Sequence, residues 1–200
     1  VYECLKESED SSTFLVKETA TGILCVLKWG RNRQAEFLRN EMEIMEKMAD
    51  RKLSGIPKTY RIFEENGEVY LVREYIEGMS LAQMVLQKGG ISEAEICRIS
   101  RKICQTAEQF QNPDEPMIHR DIKPENIVVT PGGEVVFIDF GTMRSYKKDG
   151  SRDTFVVGTR GTAAPEQYGY TQTDQRTDVY AIGQTMLYLS LIHISEPTRH

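Results

Sequence analysis

Along the first third of the chain, apolar and polar residues alternate with a period near two, and after that the period becomes mostly helical. Val1–Leu5 alternates like a strand. Residues 13–29 hold two β-rich runs around Thr21-Gly22, and residues 59–63 and 69–76 form a second pair around Asn66-Gly67, the stronger hairpin signal. Between these pairs, Ala35–Ala49 reads as a helix with Phe37, Leu38, Ile44, Met45 and Met48 on one stripe. Glu41 lies on that same stripe, and a carboxylate on an inward face requires a partner. Beyond Glu77-Gly78, Ser80–Lys88 predicts a short helix. Ser92 and Glu95 predict a capping box at the start of a longer one, with Ile96, Ile99, Ile103, Ala107 and Phe110 as its apolar stripe. Short strands at 127–129 and 135–138 flank Pro131-Gly132-Gly133. The pattern predicts an α+β chain of two lobes with a cleft between them: a β-rich 1–77 with one helix, and a mainly helical 78–188.

Composition changes this picture little. The hydrophobic share is 40% and the charged share 28%, ordinary for a globular domain, and a net charge of -5 without a polybasic run argues against a nucleic-acid partner. Cys4, Cys25, Cys97 and Cys104 show no metal-ligand spacing. Each is flanked by apolar residues, so they are expected as small buried hydrophobes in a reducing, cytoplasmic compartment. No apolar run reaches the length of a membrane span. Both ends look unnatural. The chain opens on a strand already under way, and Leu189–Arg199 matches the in-frame translation of a transposase sequencing adapter. Native sequence is therefore expected to stop near Tyr188, with 189–200 a non-native tail.

The chemistry concentrates in one loop. His119-Arg120-Asp121-Ile122-Lys123-Pro124-Glu125-Asn126 sits between the long helix and the short strand pair, and the second strand runs into Asp139-Phe140-Gly141. Asp121 and Asn126 share a loop, so one can face a hydroxyl while the other faces a metal. The hairpin brings Asp139 back beside them, and oxygen ligands of this kind suit a hard divalent cation. Either motif alone would carry little weight; the two together in this order carry a great deal.

With these residues in place, the chain resembles the Hanks-type, eukaryotic-like serine/threonine protein kinases, and Ala164-Pro165-Glu166-Gln167-Tyr168-Gly169 resembles their bacterial branch. The resemblance implies a two-lobed kinase fold, ATP with Mg²⁺ or Mn²⁺ as cofactors, and Ser/Thr hydroxyls of proteins as acceptors. It implies that Asp121 accepts the hydroxyl proton, Lys123 neutralises the γ-phosphate, and Asn126 and Asp139 bind the metal. Lys28 would hold the α- and β-phosphates and pair with Glu41, thirteen residues on, a shorter separation than the family's usual one. Glu36 is the alternative, but it turns the apolar stripe the wrong way. Backbone groups of Glu74 and Ile76 would bind adenine. His119 and Phe140 would be packing residues, and Asp178 would anchor the catalytic loop. Arg120 and Arg144 would form a phosphate pocket, with Ser151 and Thr154 as candidate autophosphorylation sites and Thr159 touching Asp121 and Lys123.

Several positions depart from the pattern. Arg73 stands where the family places an apolar gatekeeper, and is expected to reach toward Glu68 or another acid. Arg160 and Thr162 replace the more usual proline and tyrosine. The glycine-rich loop would lie upstream of Val1, and the helices after Asp178, with the usual arginine partner of Glu166, would lie beyond the tail; a fragment lacking both is expected to be inactive. The alternative reading is a pseudokinase or nucleotide-binding scaffold of the same fold. A small-molecule phosphotransferase would lack Lys123 together with Gly158-Thr159, and a sensor or membrane tether could lie outside the chain.

Overall fold

Five antiparallel strands in the order β1-β2-β3-β5-β4 open the computed structural model: β1 Glu3–Glu7, β2 Ser11–Lys17, β3 Leu24–Gly30, β4 Thr59–Glu65 and β5 Glu68–Glu74. Residues 1–49, 51, 53–88, 91–112, 115–146, 157–169 and 172–194 are described. The chain divides into two units, Val1–Ile76 and Glu77–His200. In the first, the β4–β5 turn is built on Asn66 at φ 52 and Gly67 at φ 81, the pair of left-handed residues that a two-residue hairpin needs. Helix α1, Arg33–Ala49, packs Ala35 and Leu38 against Val69 and Leu71. Its buried line runs through Ala35, Leu38, Glu41, Ile44 and Met48, so Phe37 and Met45, expected on the stripe, lie half-buried at its flanks. At the surface the Arg39 guanidinium forks onto Glu64 of β4 at 2.7 and 2.9 Å.

The strand alternation of β5 decides which acid Arg73 reaches, Glu68 or another. Val69, Leu71 and Arg73 face inward and are buried, while Glu68, five residues from Arg73, faces the other way. Arg73 therefore turns to Glu41 and not to Glu68, which accepts instead from Trp29 Nε1 at 2.9 Å and the Tyr70 hydroxyl at 2.8 Å. The cysteine expectation is corrected. All four are free, but only Cys25 is buried; Cys4, Cys97 and Cys104 are exposed. Cys4 sits on an edge strand exposed along its length. Cys97 and Cys104 sit on the helix face opposite Ile99 and Ile103, because chain neighbours on a helix are turned about 100° apart.

The second unit begins with β6 Met79–Ser80 and α2 Leu81–Lys88, continues through α3 Glu93–Glu108 and β7 Met117–Ile118, and forms β8 Ile127–Val129, β9 Val135–Phe137 and β10 Arg144–Ser145. Strands order as β6-β8-β9 and β10-β7, and α4 spans Gln175–Ile194. Reciprocal bonds between Ser80 and Gln83 close a capping box on α2, at 2.9 and 3.1 Å. Ser92 Oγ accepts the Glu95 N–H of α3 at 3.3 Å. Ile99, Ile103 and Ala107 of α3 are buried, and Phe110 just beyond meets Phe137 and Phe140 edge to face, with centroids 5.9 and 6.1 Å apart. Among the described residues, no helix is long and apolar enough to cross a membrane.

Gly78 fixes how β6 enters against β8. Its φ is +154, and a Cβ there would stand 2.4 Å from the Val129 carbonyl oxygen. Gly78→Ala is expected to destabilise by more than about 1 kcal/mol, lowering the thermal midpoint by several degrees; a calorimetric scan checks this, and an unchanged midpoint would show that the approach can relax.

Candidate active site

In the first unit, β3 and β5 set the geometry. Lys28 pairs across the ladder with Leu71, and Val26 with Arg73, so Lys28 and Arg73 share the sheet face that carries α1. Lys28 Nζ lies 2.6 Å from Glu41 Oε2, with the two side chains 11% and 2% exposed. Arg73 Nη1 stands 3.9 Å from the other oxygen, Glu41 Oε1. Glu41 thus stands between two cations, which is why a carboxylate persists on the buried face of α1; Glu36 lies on its exposed side. At the end of β5, Glu74 donates its N–H to the Lys58 carbonyl at 2.8 Å and its carboxylate accepts the Lys58 N–H at 3.0 Å. Ile76 closes the unit.

In the second unit the loop after β7 converges on Asp121. Lys123 Nζ lies 2.8 Å from Asp121 Oδ2. Thr159 donates its hydroxyl to Asp121 Oδ1 at 2.7 Å and accepts from Lys123 Nζ at 2.7 Å. Asn126, in the 3-10 turn Pro124–Asn126, donates Nδ2 to Asp121 Oδ2 at 2.9 Å and to the Asp121 carbonyl at 3.0 Å. Because Nδ2 is turned to Asp121, the amide oxygen of Asn126 points away from it. Asp139, just past β9, accepts the Gly141 N–H on Oδ1 at 3.3 Å. One carboxylate and one amide oxygen form a hard-donor set that fits a divalent cation whose remaining ligands are phosphate and water oxygens.

The loop is held from below. Asp178, buried in the first turn of α4, accepts the His119 N–H at 2.8 Å and the Arg120 N–H at 2.9 Å. Arg120 adopts φ 68, a left-handed conformation that costs a branched-free L-residue energy unless its neighbours hold it. Its Nε donates to the Thr142 carbonyl at 2.7 Å, and the Thr142 hydroxyl returns to the His119 carbonyl at 3.0 Å. Burial pushes the Asp178 carboxyl up to about 6, against the pull of the two N–H groups and the Arg120 charge.

His119 is fully buried among Phe110, Phe137 and Phe140, with centroids 6.1, 5.5 and 5.3 Å away. Burial lowers its pKa to about 4, despite the charges of Asp121 and Asp139. It is neutral at pH 7 and packs as an aromatic. Arg144 turns to Thr173, donating to its carbonyl at 2.8 Å and its hydroxyl at 3.2 Å. Arg120 and Arg144 thus hold separate backbone carbonyls, Thr142 and Thr173. Ser151 and Thr154 lie outside the described residues.

Three contributors escaped sequence reasoning: Thr142, Thr177 and Gln167. The Thr177 hydroxyl donates to Glu166 Oε1 at 2.7 Å, and the Gln167 amide bonds three separate backbone groups. Single polar residues on turns or in a first helical turn carry no signal in sequence, since their partners are fixed only once the chain is folded.

The sequence profile of the protein kinase domain family matches residues 4–197. The chain belongs to that family. Among curated relatives, serine/threonine-protein kinase D of Synechocystis is 33% identical over 160 residues, covering 76% of this chain and 30% of the relative. Serine/threonine-protein kinase PknA of Nostoc is 32% identical over 162 residues, 77% of this chain and 28% of the relative. A probable serine/threonine-protein kinase zyg-1 of Caenorhabditis briggsae is 31% identical over 180 residues, 88% of this chain and 24% of the relative. The kinase domain described here therefore spans less than a third of each of these relatives. The cyanobacterial kinases and the domain match make it a Hanks-type kinase of bacterial kind.

Two buried titrating groups of this kinase domain, His119 and Asp178, oppose one another. His119 has a folded pKa of about 4, below its ordinary 6.5, so the unfolded chain takes the proton first and stability is lost as pH falls from 6.5 to 4. Asp178, at about 6 instead of 3.8, takes its proton first in the folded chain and adds stability over nearly the same fall. His119→Phe keeps the aromatic packing and removes only the first effect. Its stability relative to the parent is expected to rise by roughly 2 kcal/mol between pH 7 and pH 4.5. Urea unfolding at the two pH values checks this, and a constant difference would contradict a buried neutral His119.

Proposed function

We propose that the protein catalyses ATP-dependent phosphoryl transfer to Ser/Thr hydroxyls of proteins. The observation that carries this reading is the closed set Asp121–Lys123–Thr159–Asn126, in which every partner of the carboxylate is within 2.9 Å. A Ser/Thr hydroxyl brought to Asp121 can take the place of the Thr159 hydroxyl or share it, donating its proton to the carboxylate as it attacks. Lys123 then balances negative charge gathering beside Asp121. Asn126 keeps Asp121 turned in one direction and presents its amide oxygen, with Asp139, to Mg²⁺ or Mn²⁺. Bound metal–ATP supplies the phosphoryl group and the countercharge for its transfer. Lys28, fixed by Glu41, is suited to the α- and β-phosphates, and the backbone of Glu74 and Ile76 to adenine. Arg120 and Arg144 are suited to a phosphorylated activation segment, for which Ser151 and Thr154 are the acceptors. Four free cysteines fit a cytoplasmic domain, whether or not the whole protein carries a sensor or membrane tether.

The test is transfer of γ-labelled phosphate from ATP with Mg²⁺ to the full-length protein itself and to a Ser/Thr peptide library. Asp121→Asn is expected to reduce transfer by about 10²–10⁴-fold while nucleotide binding persists. A parent that binds ATP and transfers nothing would establish the scaffold reading instead.

A further inference from the structure

Gln167 lies in the 3-10 turn Pro165–Tyr168 and is 4% exposed. Its Nε2 donates to the Arg120 carbonyl at 2.6 Å and to the Val157 carbonyl at 2.9 Å, while Oε1 accepts the Ala164 N–H at 2.9 Å. Both amide protons are thus spent on carbonyls from segments far apart in the chain. Only a primary amide offers two donors and an acceptor on one short, uncharged group. The neighbouring backbone makes room for it. Gly158, at φ +134, passes so close that a Cβ would stand 2.8 Å from Gln167 Nε2 and 2.7 Å from the Ala163 Cβ. The next residue is Thr159, whose hydroxyl reaches Asp121. On the other side, the bonded Arg120 carbonyl belongs to the peptide that leads into Asp121.

We infer that Gln167 is a positioning residue, whose amide locks the peptide before Asp121 to the segment bearing Thr159, so that the placement of that segment is passed to the catalytic carboxylate. The inference rests on the phosphoryl-transfer reading above. A role confined to its own turn would need only the Ala164 bond. The two carbonyl bonds are what extend its reach, and they predict a chemical signature. In Gln167→Glu the ionised carboxylate would turn oxygen toward two carbonyl oxygens and break both bonds. The protonated acid can restore one. Gln167→Leu restores neither at any pH. The charged groups reached through these bonds, Arg120 with its partner Asp178 and the adjacent Glu166, are common to parent and variants, so a variant-to-parent ratio cancels their titration.

The experiment measures kcat for peptide phosphorylation and backbone amide exchange in the full-length parent, Gln167→Glu and Gln167→Leu, at pH 8 and pH 6. The kcat ratio of Gln167→Glu to parent is expected to be about tenfold higher at pH 6 than at pH 8, one hydrogen bond recovered, while Gln167→Leu stays low at both. The Gln167→Glu-to-parent ratio of exchange rates at each pH is expected to be raised in residues 119–121 and 157–159 together at pH 8 and to fall together at pH 6, with α3 amides reporting that the fold is intact. A ratio independent of pH, or faster exchange in one segment alone, overturns the inference. If the parent transfers no phosphate, the phosphoryl-transfer reading fails, and coupled or uncoupled exchange still decides for or against the link through Gln167.

Discussion

The second unit depends on one residue held against its own backbone preference. Arg120 sits at φ 68, with its N–H held by the buried carboxylate of Asp178, its carbonyl by Gln167 and its Nε by the Thr142 carbonyl. A left-handed non-glycine residue costs of order 1–3 kcal/mol and persists only where its surroundings over-determine it. Here that conformation reverses the chain between His119, packed in the phenylalanine cluster, and Asp121, turned toward Lys123, Thr159 and Asn126. The same turn that buries one neighbour presents the other.

The first unit solves a related problem with charge. A carboxylate on the inner face of a helix would ordinarily be excluded from the core, and Glu41 is kept there by Lys28 on β3 and Arg73 on β5. Removing one partner from so buried a pair costs more than the pair contributes, so the position of α1 and the placement of Lys28 are fixed by a single arrangement. Strand pairing reinforces it, since Lys28 and Arg73 lie two residues apart on adjoining strands of one face.

Much of this was legible in the sequence, for identifiable reasons. The hairpin at Asn66-Gly67 and the helix stripes follow from local periodicity, which needs no knowledge of the fold. Glu41 announced a partner because a carboxylate on an apolar stripe is a conflict that only a cation resolves. What could not be read required the third dimension. The side chain of Arg73 follows the pleat of β5 toward Glu41, and the cysteines of α3 follow the helical turn into solvent in spite of apolar neighbours in the chain. Gln167 and Thr142 were missed because nothing local distinguishes a polar turn residue that ties down the loop at Arg120 from one that faces water.

The second unit turns on one link: the buried Asp178 carboxylate holds the loop at Asp121 through the His119 and Arg120 amides. Its most direct test is a pH titration of the Asp178 side-chain carboxyl by ¹³C NMR, followed together with those two amide resonances. A midpoint raised to about 6 by burial is expected, with both amides shifting at that same midpoint. Amide resonances indifferent to the Asp178 titration would contradict a carboxylate bonded to them.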